Sequence, residues 1–185
     1  LHYYTVMGWS GSKGSATQFT DDDYYWTMGK CLEIEPVLKK HMAIMDKYDP
    51  KKQIGLMVDE WGTWWDEEPG TVRGHLYQQN TLRDAFVASL TLDVFHKYTD
   101  RIKMTNIAQI ANVHLQESQE IELNLGEVKA KSVTGRILTA NNIGDYNSFE
   151  KPNVVAPKEF TGAKVNKGSL KVTLPAKSIV VLEVK

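Results

Sequence analysis

The sequence predicts two regions of different fold class, an α/β region over residues 1–113 and an all-β region over residues 114–185. In the first region, short apolar runs of the kind found in buried strands alternate with long stretches of helical periodicity. In the second region, apolar and polar residues alternate over short segments separated by turn residues. The change in pattern near Val113 therefore predicts a domain boundary there.

The first elements of the α/β region are a strand, a loop and a long helical segment. Residues 1–6 form an apolar and aromatic run typical of a strand, and the stretch from Gly8 to Gly14 predicts a flexible loop. Thr20 precedes three aspartates, which favours a helix start because its hydroxyl can cap free amides. Pro36 should kink or divide the helix. The predicted apolar face consists of Cys31, Ile34, Leu38, His41 and Met45.

The most informative segment runs from Gln53 to Trp65, with the sequence QIGLMVDEWGTWW. Its apolar part predicts a strand buried on both faces, and Asp59 and Glu60 follow where that strand should end. Carboxylates at the C-terminal end of a parallel strand, next to the flat surfaces of tryptophans, suit a glycosidase site. The alternative is a strand-to-loop boundary with solvated acids, but large aromatic residues in a loop favour burial or ligand binding.

A second helix and a further strand continue the alternation. The segment from Leu76 to His96 has helical spacing, and the segment from Arg101 to Ala108 is compatible with a short strand. Strand, helix, strand, helix, strand is the repeat of a parallel sheet, which can be open or closed into a barrel.

The all-β region has the period of half-buried antiparallel strands. Apolar residues alternate with polar ones in the ranges 121–125 and 170–174. The stretch 175–177 predicts a turn that joins the second of these segments to a last strand, 179–183, as a hairpin. These features predict an antiparallel β-sandwich or part of one.

Composition and charge narrow the classes of function. The chain has 185 residues, of which 42% are hydrophobic and 24% charged, and its formal net charge is −1. This balance offers no electrostatic surface for nucleic acid or an anionic membrane. The single cysteine, Cys31, excludes an internal disulfide and a cysteine-built metal site, and the histidine spacing predicts no metal site either. The sequence has no apolar run long enough to span a membrane and no signal peptide at its N-terminus.

Five short motifs in a fixed order carry a resemblance to a known family. They are LHYYT (1–5), VDEWGTWW (58–65), QNTLRDA (79–85), FHK (95–97) and NIAQIAN (106–112). Together they resemble the C-terminal half of the catalytic barrel in the α-L-arabinofuranosidases of glycoside hydrolase family 51. The remainder of the chain resembles the C-terminal β-sandwich of that family less specifically.

The resemblance implies both a fold and an activity. The implied fold is the C-terminal part of a (β/α)8 TIM barrel, residues 1–113, followed by an antiparallel β-sandwich domain, residues 114–185. The implied activity is that of a retaining glycoside hydrolase that removes terminal arabinofuranosyl groups from hemicellulose or pectin side chains, without a cofactor. Its partners would be arabinose-containing oligosaccharides or polysaccharides. The resemblance leaves open whether the parent enzyme is a homo-oligomer.

The resemblance also implies catalytic and supporting residues. Glu60 is in the position of the nucleophile. Tyr4, with Tyr3 as the alternative, is in the position of the tyrosine that donates a hydrogen bond to this carboxylate. His2, at the same strand end, would line the pocket, and the alternative is an interior histidine with a structural role.

An aromatic and an amide side chain complete the implied site, which contains no metal. Trp64 resembles the aromatic residue that shapes the sugar subsite, and Gln109 resembles the amide near the sugar hydroxyls. Trp61 could belong to the hydrophobic core and not to the site, because a tryptophan next to a strand end often packs under the loop. The role of Trp65 stays open.

The sequence departs from the family pattern in two places. The family's general acid/base is a glutamate in an Asn-Glu pair on an earlier barrel strand, and no such pair occurs in these 185 residues. That residue is expected upstream of Leu1, because the sequence predicts a start in mid-domain, so the chain alone should be inactive or nearly so. After Val113 the family usually continues through a further helical segment, whereas here His114 leads directly toward strands.

The sequence leaves the cellular compartment of the protein open, between the cytoplasm and a periplasmic or secreted location in a bacterium.

Two other functions compete with this interpretation. One is a non-catalytic carbohydrate-binding module, in which the tryptophans bind sugar and Glu60 is incidental. The other is a different retaining glycosidase of the same barrel superfamily, a xylosidase or a glucanase. Sugar binding that survives Glu60→Ala would favour the module, and a comparison of aryl arabinofuranosides, xylosides and glucosides would separate the two enzymes.

Overall fold

A computed structural model describes residues 1–102, 108–125, 130–166 and 168–184, without the side chains of 108–110. The chain divides into two compact units, Leu1–Asn106 and Ile107–Lys185. This division falls earlier than the expected boundary after Val113. The reason is that residues 108–112 form an antiparallel ladder with the last strand of the second unit.

The described part of the first unit contains two short parallel strands and three helices. Its elements are β1 (His2–Thr5), α1 (Asp21–Leu32), α2 (Ile34–Tyr48), β2 (Glu60–Thr63) and α3 (Leu82–His96). β1 and β2 pair in parallel, with His2 opposite Glu60. Parallel strands connected through helices agree with the α/β pattern of the sequence.

The apolar run before Glu60 is not a regular strand, which corrects the sequence prediction. Leu56 forms an isolated parallel bridge with Ile102, and the regular ladder starts at Glu60. The acids therefore stand at the beginning of β2 rather than beyond the end of a strand. The expected burial on both faces is also wrong, because Ile54 and Met57 are exposed.

α1 starts where the sequence predicts. The Thr20 hydroxyl accepts a hydrogen bond from the Asp23 amide (3.2 Å), and the Asp23 carboxylate accepts one from the Thr20 amide (2.9 Å). This capping box satisfies amides that the helix itself cannot pair. The helical stretch is divided between Leu32 and Ile34, and Pro36 lies in the first turn of α2, where its missing amide costs little.

The buried face of α2 differs from the predicted one. Ile34, Leu38 and Met42 are buried, at the spacing of one face of a helix. His41 is exposed and Met45 is only partly buried. Because a new helix starts at Ile34, the spacing of its buried residues begins at Ile34 and does not continue the spacing of α1.

α3 begins at Leu82 instead of the predicted Leu76. Thr81 and Asp84 form a second capping box, which sets the start of the helix. Most of the strand predicted from Arg101 to Ala108 lies outside the described residues. None of the helices within the described ranges is both long enough and apolar enough to cross a membrane.

The second unit is all-β and antiparallel, as predicted. Its strands are β3 (Ala108–Asn112), β4 (Gln119–Asn124), β5 (Val133–Thr139), β6 (Lys158–Phe160), β7 (Ala163–Asn166), β8 (Ser169–Leu174) and β9 (Ser178–Val184). One sheet has the order β3-β9-β5-β6 and the other the order β4-β8-β7. Buried residues of both sheets share one hydrophobic core, which makes the unit a β-sandwich.

The predicted hairpin at residues 175–177 is wrong. β8 pairs with β4 and β7, whereas β9 pairs with β3 and β5, so the turn carries the chain from one sheet to the other. Leu174 before the turn and Val180 after it both point into the shared core. The alternating pattern therefore identified the strands but assigned the wrong partner to the last one.

Candidate active site

Glu60 is brought next to His2 by the parallel pairing of β1 and β2. His2 Nδ1 lies 2.6 Å from Glu60 Oε2, and since an ionised carboxylate only accepts hydrogen bonds, the imidazole is the donor. His2 Nε2 lies 3.4 Å from Asp59 Oδ1. The side chains of His2 and Glu60 are 56% and 52% exposed, which leaves this contact open to a ligand.

The two tyrosines of β1 have different partners because successive side chains of a strand point to opposite faces. The Tyr4 hydroxyl donates a hydrogen bond to the Glu60 carboxylate, and this bond raises the pKa of Tyr4. The Tyr3 hydroxyl donates to the backbone carbonyl of Lys30 in α1 (2.8 Å), and burial raises the pKa of Tyr3 to about 12. The structure thus brings Tyr4, and not Tyr3, to Glu60.

Hydrogen-bond donors surround the side chain of Glu60. His2 and Tyr4 both direct hydrogen-bond donors at it, and donors stabilise a negative charge. Its neighbour Asp59 is an anion at neutral pH, because its own backbone amide and then the amino group of Leu1 lower its pKa. Two hydrogen-bond donors therefore face Glu60, and Asp59 holds no proton to donate.

Three rings, of which Tyr4 contacts Glu60, form a surface that we call the aromatic wall, made of Tyr4, Trp9 and Trp64. Their centroids are 5.3 Å apart for Tyr4 and Trp64, 6.0 Å for Trp9 and Trp64, and 6.1 Å for Tyr4 and Trp9. All three pairs meet edge to face. Trp9 is 66% exposed, and Lys13 Nζ lies 5.3 Å from the Trp64 ring centroid. The wall therefore offers open aromatic surface at Trp9, which packs against the tyrosine that contacts the carboxylate.

The other two tryptophans of the segment have structural roles. Trp61 packs edge-on against Phe95, with ring centroids 5.3 Å apart, at the hydrophobic core of the first unit. Trp65 is 2% exposed, and its indole Nε1 donates to Asp84 Oδ1 (2.8 Å). Of the three tryptophans between residues 61 and 65, Trp64 is the one in the aromatic wall.

The Asp84 carboxylate forms hydrogen bonds with residues at the end of β2 and at the start of α3. Its Oδ1 accepts hydrogen bonds from the Thr63 hydroxyl (2.6 Å) and from Trp65 Nε1, and its Oδ2 accepts one from the Thr81 amide (2.7 Å). Gln78 Oε1 accepts a further bond from the Trp65 amide (2.8 Å). Because a carboxylate forms strong hydrogen bonds, these contacts hold the backbone on both sides of Trp64.

Trp9 is the member of the site that sequence patterns do not identify. It lies in a Gly- and Ser-rich stretch, which by itself predicts only a flexible loop. The one available signal was a large aromatic residue in such a loop. Its ring partners, Tyr4 and Trp64, become visible only when the strands are paired.

The role of Gln109 near the sugar hydroxyls stays a prediction. Gln109 lies in β3 of the second unit, opposite Val181, and its side chain is outside the described residues. In the described ranges, no group of three or more His, Cys, Asp or Glu side chains could hold a metal ion.

Comparison with known proteins identifies the family of the chain. A family model described as "Alpha-L-arabinofuranosidase C-terminal domain" matches residues 59–115 and 114–178. The chain belongs to the α-L-arabinofuranosidase family. Proteins of this family are glycoside hydrolases, and the chain corresponds to their C-terminal part.

Individual arabinofuranosidases are similar to the whole chain. An "Intracellular exo-alpha-L-arabinofuranosidase" from Bacteroides ovatus is 53% identical, over 100% of this chain and 50% of that protein. The structure of a GH51 arabinofuranosidase from Xanthomonas axonopodis pv. citri matches with a TM-score of 0.90 and 31% identity, over 100% of this chain and 52% of that chain. A family 51 arabinofuranosidase from Bifidobacterium longum, 14% identical, covers 100% of this chain and 52% of its own, and has the same fold (TM-score 0.70). The chain thus spans about half the length of these relatives.

The match to the arabinofuranosidases is interrupted near His114. Two stretches of the family model meet at residues 114–115. The alignment with the Bacteroides ovatus protein runs over 257 positions, more than the 185 residues of this chain. That relative therefore has residues without a counterpart here. The interruption of the family model lies next to Val113, where the sequence departs from the family pattern.

Proposed function

We propose that Glu60 is the nucleophile of a retaining α-L-arabinofuranosidase and that the first unit is the C-terminal part of its TIM barrel. The observation that carries the proposal is the convergence of His2 and Tyr4 on Glu60 beside the aromatic wall. The parallel pairing of β1 and β2 supports the barrel. The names of the relatives, arabinofuranosidases, support a substrate that ends in arabinofuranosyl groups, and our proposal is that it is a hemicellulose or pectin side chain.

Each group at the site has a role in a double displacement. A Glu60 oxygen attacks the anomeric carbon, the bond to the leaving oxygen breaks, and a covalent glycosyl ester forms; water then hydrolyses this ester and restores the carboxylate. His2 and Tyr4 hold the carboxylate oxygens in position before the attack. Trp64 and Trp9 supply flat surfaces against which a sugar ring can lie.

Neither Asp59 nor Tyr4, the other two acidic groups described next to Glu60, is a ready source of the proton for the leaving oxygen. Asp59 is ionised at neutral pH, and the raised pKa of Tyr4 makes its phenol a weaker acid than usual. General acid catalysis contributes roughly 10²- to 10⁴-fold to such a reaction. We therefore expect the 185-residue chain by itself to be inactive or nearly so toward glycosides with ordinary leaving groups.

The first experiment measures release of phenol from phenyl α-L-arabinofuranoside, whose leaving oxygen needs a proton, by the 185-residue chain. We expect no release above that of the Glu60→Gln variant. Turnover that Glu60→Gln abolishes would contradict the expected inactivity. Parallel assays with the corresponding xyloside and glucoside would reveal a different retaining glycosidase.

A second experiment tests the nucleophile without needing the acid. A 2,4-dinitrophenyl 2-deoxy-2-fluoro-α-L-arabinofuranoside has a leaving group that departs without a proton, so the chain should gain one glycosyl group on Glu60, seen by peptide mass spectrometry. Glu60→Gln should gain none, and the matched control Asp59→Asn should still be labelled. No labelling of the unaltered chain, together with arabino-oligosaccharide binding that survives Glu60→Ala, would favour a carbohydrate-binding module instead.

A further inference from the structure

Arg83 is a buried cation that the proposed chemistry does not use. It lies in the first turn of α3 and is 1% exposed, and burial lowers its pKa to about 10. Asp23 and Asp84 favour its charge, but their carboxylates accept the amide hydrogen bonds of the two capping boxes. Among the described residues, Arg83 Nε has no hydrogen-bond partner. A buried charge paired this poorly is costly, so its position needs an explanation other than an ion pair.

The guanidinium of Arg83 joins two segments that are far apart in the sequence. Its carbon Cζ lies 3.7 Å from the Phe19 ring centroid and 3.6 Å from that of Trp65, so the flat group is stacked between two rings. Its Nη2 donates to the backbone carbonyls of Ser15 (3.0 Å) and Ala16 (3.1 Å). Arg83 therefore fixes the loop before α1 against the segment that follows β2.

That loop, residues 8–19, carries part of the aromatic wall, and we call it the wall loop. Trp9 near its start packs against Tyr4 and Trp64. In its middle, the Lys13 amide donates to Asp66 Oδ1 (2.9 Å). The wall loop is thus held near the wall by a carboxylate on one side and by Arg83 on the other. A movement that carries Trp9 with the loop would separate its ring from those of Tyr4 and Trp64.

We propose that Arg83 is a positioning residue that holds the wall loop, and with it Trp9, in place, and so sets the affinity for the glycan rather than the chemistry at Glu60. The proposal rests on the proposed function, because it assumes that the glycan binds at the aromatic wall. Lysine is not an adequate substitute, since an ammonium group has neither the flat face nor the fork of donors. Alanine would leave an empty slot between the rings of Phe19 and Trp65.

The first test follows the wall loop without a ligand. Lys13 is the trypsin site within the loop, and Lys51, exposed in a turn, is the internal reference. Arg83→Ala should speed cleavage after Lys13 by about tenfold relative to Lys51, because cleavage follows the population of the open loop. Ethylguanidinium should reverse the effect by filling the slot, and Arg83→Lys should resemble alanine. The control Arg73→Ala, at an exposed arginine, should change neither rate.

The second test measures the dissociation constant of arabinotriose by calorimetry. Arg83→Ala and Trp9→Ala should each weaken binding by about tenfold, and the double variant should bind no worse than either, because both act through the same ring. Additive losses would overturn the proposal, and so would cleavage after Lys13 that Arg83→Ala leaves unchanged or that ethylguanidinium does not restore. If the unaltered chain does not bind arabinotriose, the proposed function fails, and the trypsin experiment still decides whether Arg83 holds the loop.

Discussion

The Tyr4 phenol and the His2 imidazole both donate hydrogen bonds to the carboxylate of Glu60. The pKa of Tyr4 therefore depends on the charge of that carboxylate. The pKa of Tyr4 is raised first by its hydrogen bond to Glu60, because ionising the phenol would place a second negative charge beside the first. A raised pKa in the folded state adds stability that is fully present below the unfolded pKa and is lost as the pH rises through the folded one. Titration of Tyr4 therefore reports on the charge at Glu60.

Glu60→Gln should lower the pKa of Tyr4 toward its ordinary value. The amide that replaces the carboxylate carries no charge, so it no longer penalises the phenolate. The measurement is an NMR titration of ¹³Cζ-labelled tyrosine, with Tyr4→Phe to assign the signal. Asp59→Asn is the matched control and should have the smaller effect, since Tyr4 bonds to Glu60. An unchanged Tyr4 titration in Glu60→Gln would show that the two side chains are not in contact.

The candidate site could be predicted from the sequence in part, and the limits have physical causes. A tyrosine pair at positions 3 and 4 does not reveal which member faces a ligand, because strand alternation separates them only once the strand is placed. The same holds for Trp61, Trp64 and Trp65, of which one faces the aromatic wall. Trp9 was missed because a loop contact across the fold leaves no periodic signal.

At the scale of elements, one carboxylate joins α2 to the residues that follow α3. Glu35 in the first turn of α2 accepts hydrogen bonds from the Tyr98 hydroxyl (2.6 Å) and from Lys97 Nζ (3.1 Å). The Tyr98 bond, followed by that of Lys97, lowers the pKa of Glu35 to about 2. A depressed folded-state pKa means stability that is present above the unfolded value and lost as the pH falls toward the folded one.

Tyr98→Phe should destabilise the first unit more at pH 7 than at pH 2. At pH 7 the ionised Glu35 loses its main donor, whereas near pH 2, close to the folded-state pKa of Glu35, much of its charge is already neutralised. The measurement is urea unfolding followed at both pH values. Tyr48→Phe, at a tyrosine that is 80% exposed at the end of α2, is the control and should have little effect at either pH. Equal losses at the two pH values would contradict a role for the Glu35 charge.

Helix boundaries were predictable only where the capping signal and the periodicity agree. Thr20 and Asp23 precede an apolar pattern and mark the start of α1 correctly. Thr81 and Asp84 form the same capping box at the start of α3. Helical spacing of apolar residues, however, continues upstream to Leu76, and it led to a predicted start that is too early. A capping box is local chemistry, and it decides the boundary when the two signals conflict.

At the scale of the whole molecule, the second unit depends on side chains from both sheets meeting in one core. Phe160 in β6 is 8% exposed and packs there. A Cβ atom on Gly135 would lie 3.1 Å from Phe160 and 2.8 Å from Leu182, so the backbone of β5 is also close to this ring. The core around Phe160 is therefore filled closely, and removing the ring should leave a cavity.

Phe160→Ala should destabilise the second unit by about 3–5 kcal/mol, the usual cost of removing a buried aromatic ring. Phe149→Ala is the matched control, since Phe149 is fully exposed in the same unit and should cost little. The measurement is hydrogen exchange of peptides from β5, β8 and β9 in the two variants. Similar protection in both would contradict the packing of Phe160 in the core.

The order of the strands in the second unit could not be predicted from the alternation of apolar and polar residues alone. Alternation identified β4, β8 and β9, but it does not encode which strand lies beside which. The partners of β9 are β3 and β5, both distant in the sequence. The pairing of β3 also explains the boundary between the units. The sequence pattern predicts that residues 108–112 belong to the α/β region, but they form hydrogen bonds with the last strand, β9.

The position of the tryptophans has a consequence for spectroscopy. All five, Trp9, Trp26, Trp61, Trp64 and Trp65, precede residue 66 and therefore belong to the first unit. Intrinsic emission excited at the red edge of indole absorption reports on that unit alone, and the β-sandwich is silent. Since Trp9 and Trp64 are in the aromatic wall, the same emission gives a label-free test of the proposed binding of a sugar beside Glu60.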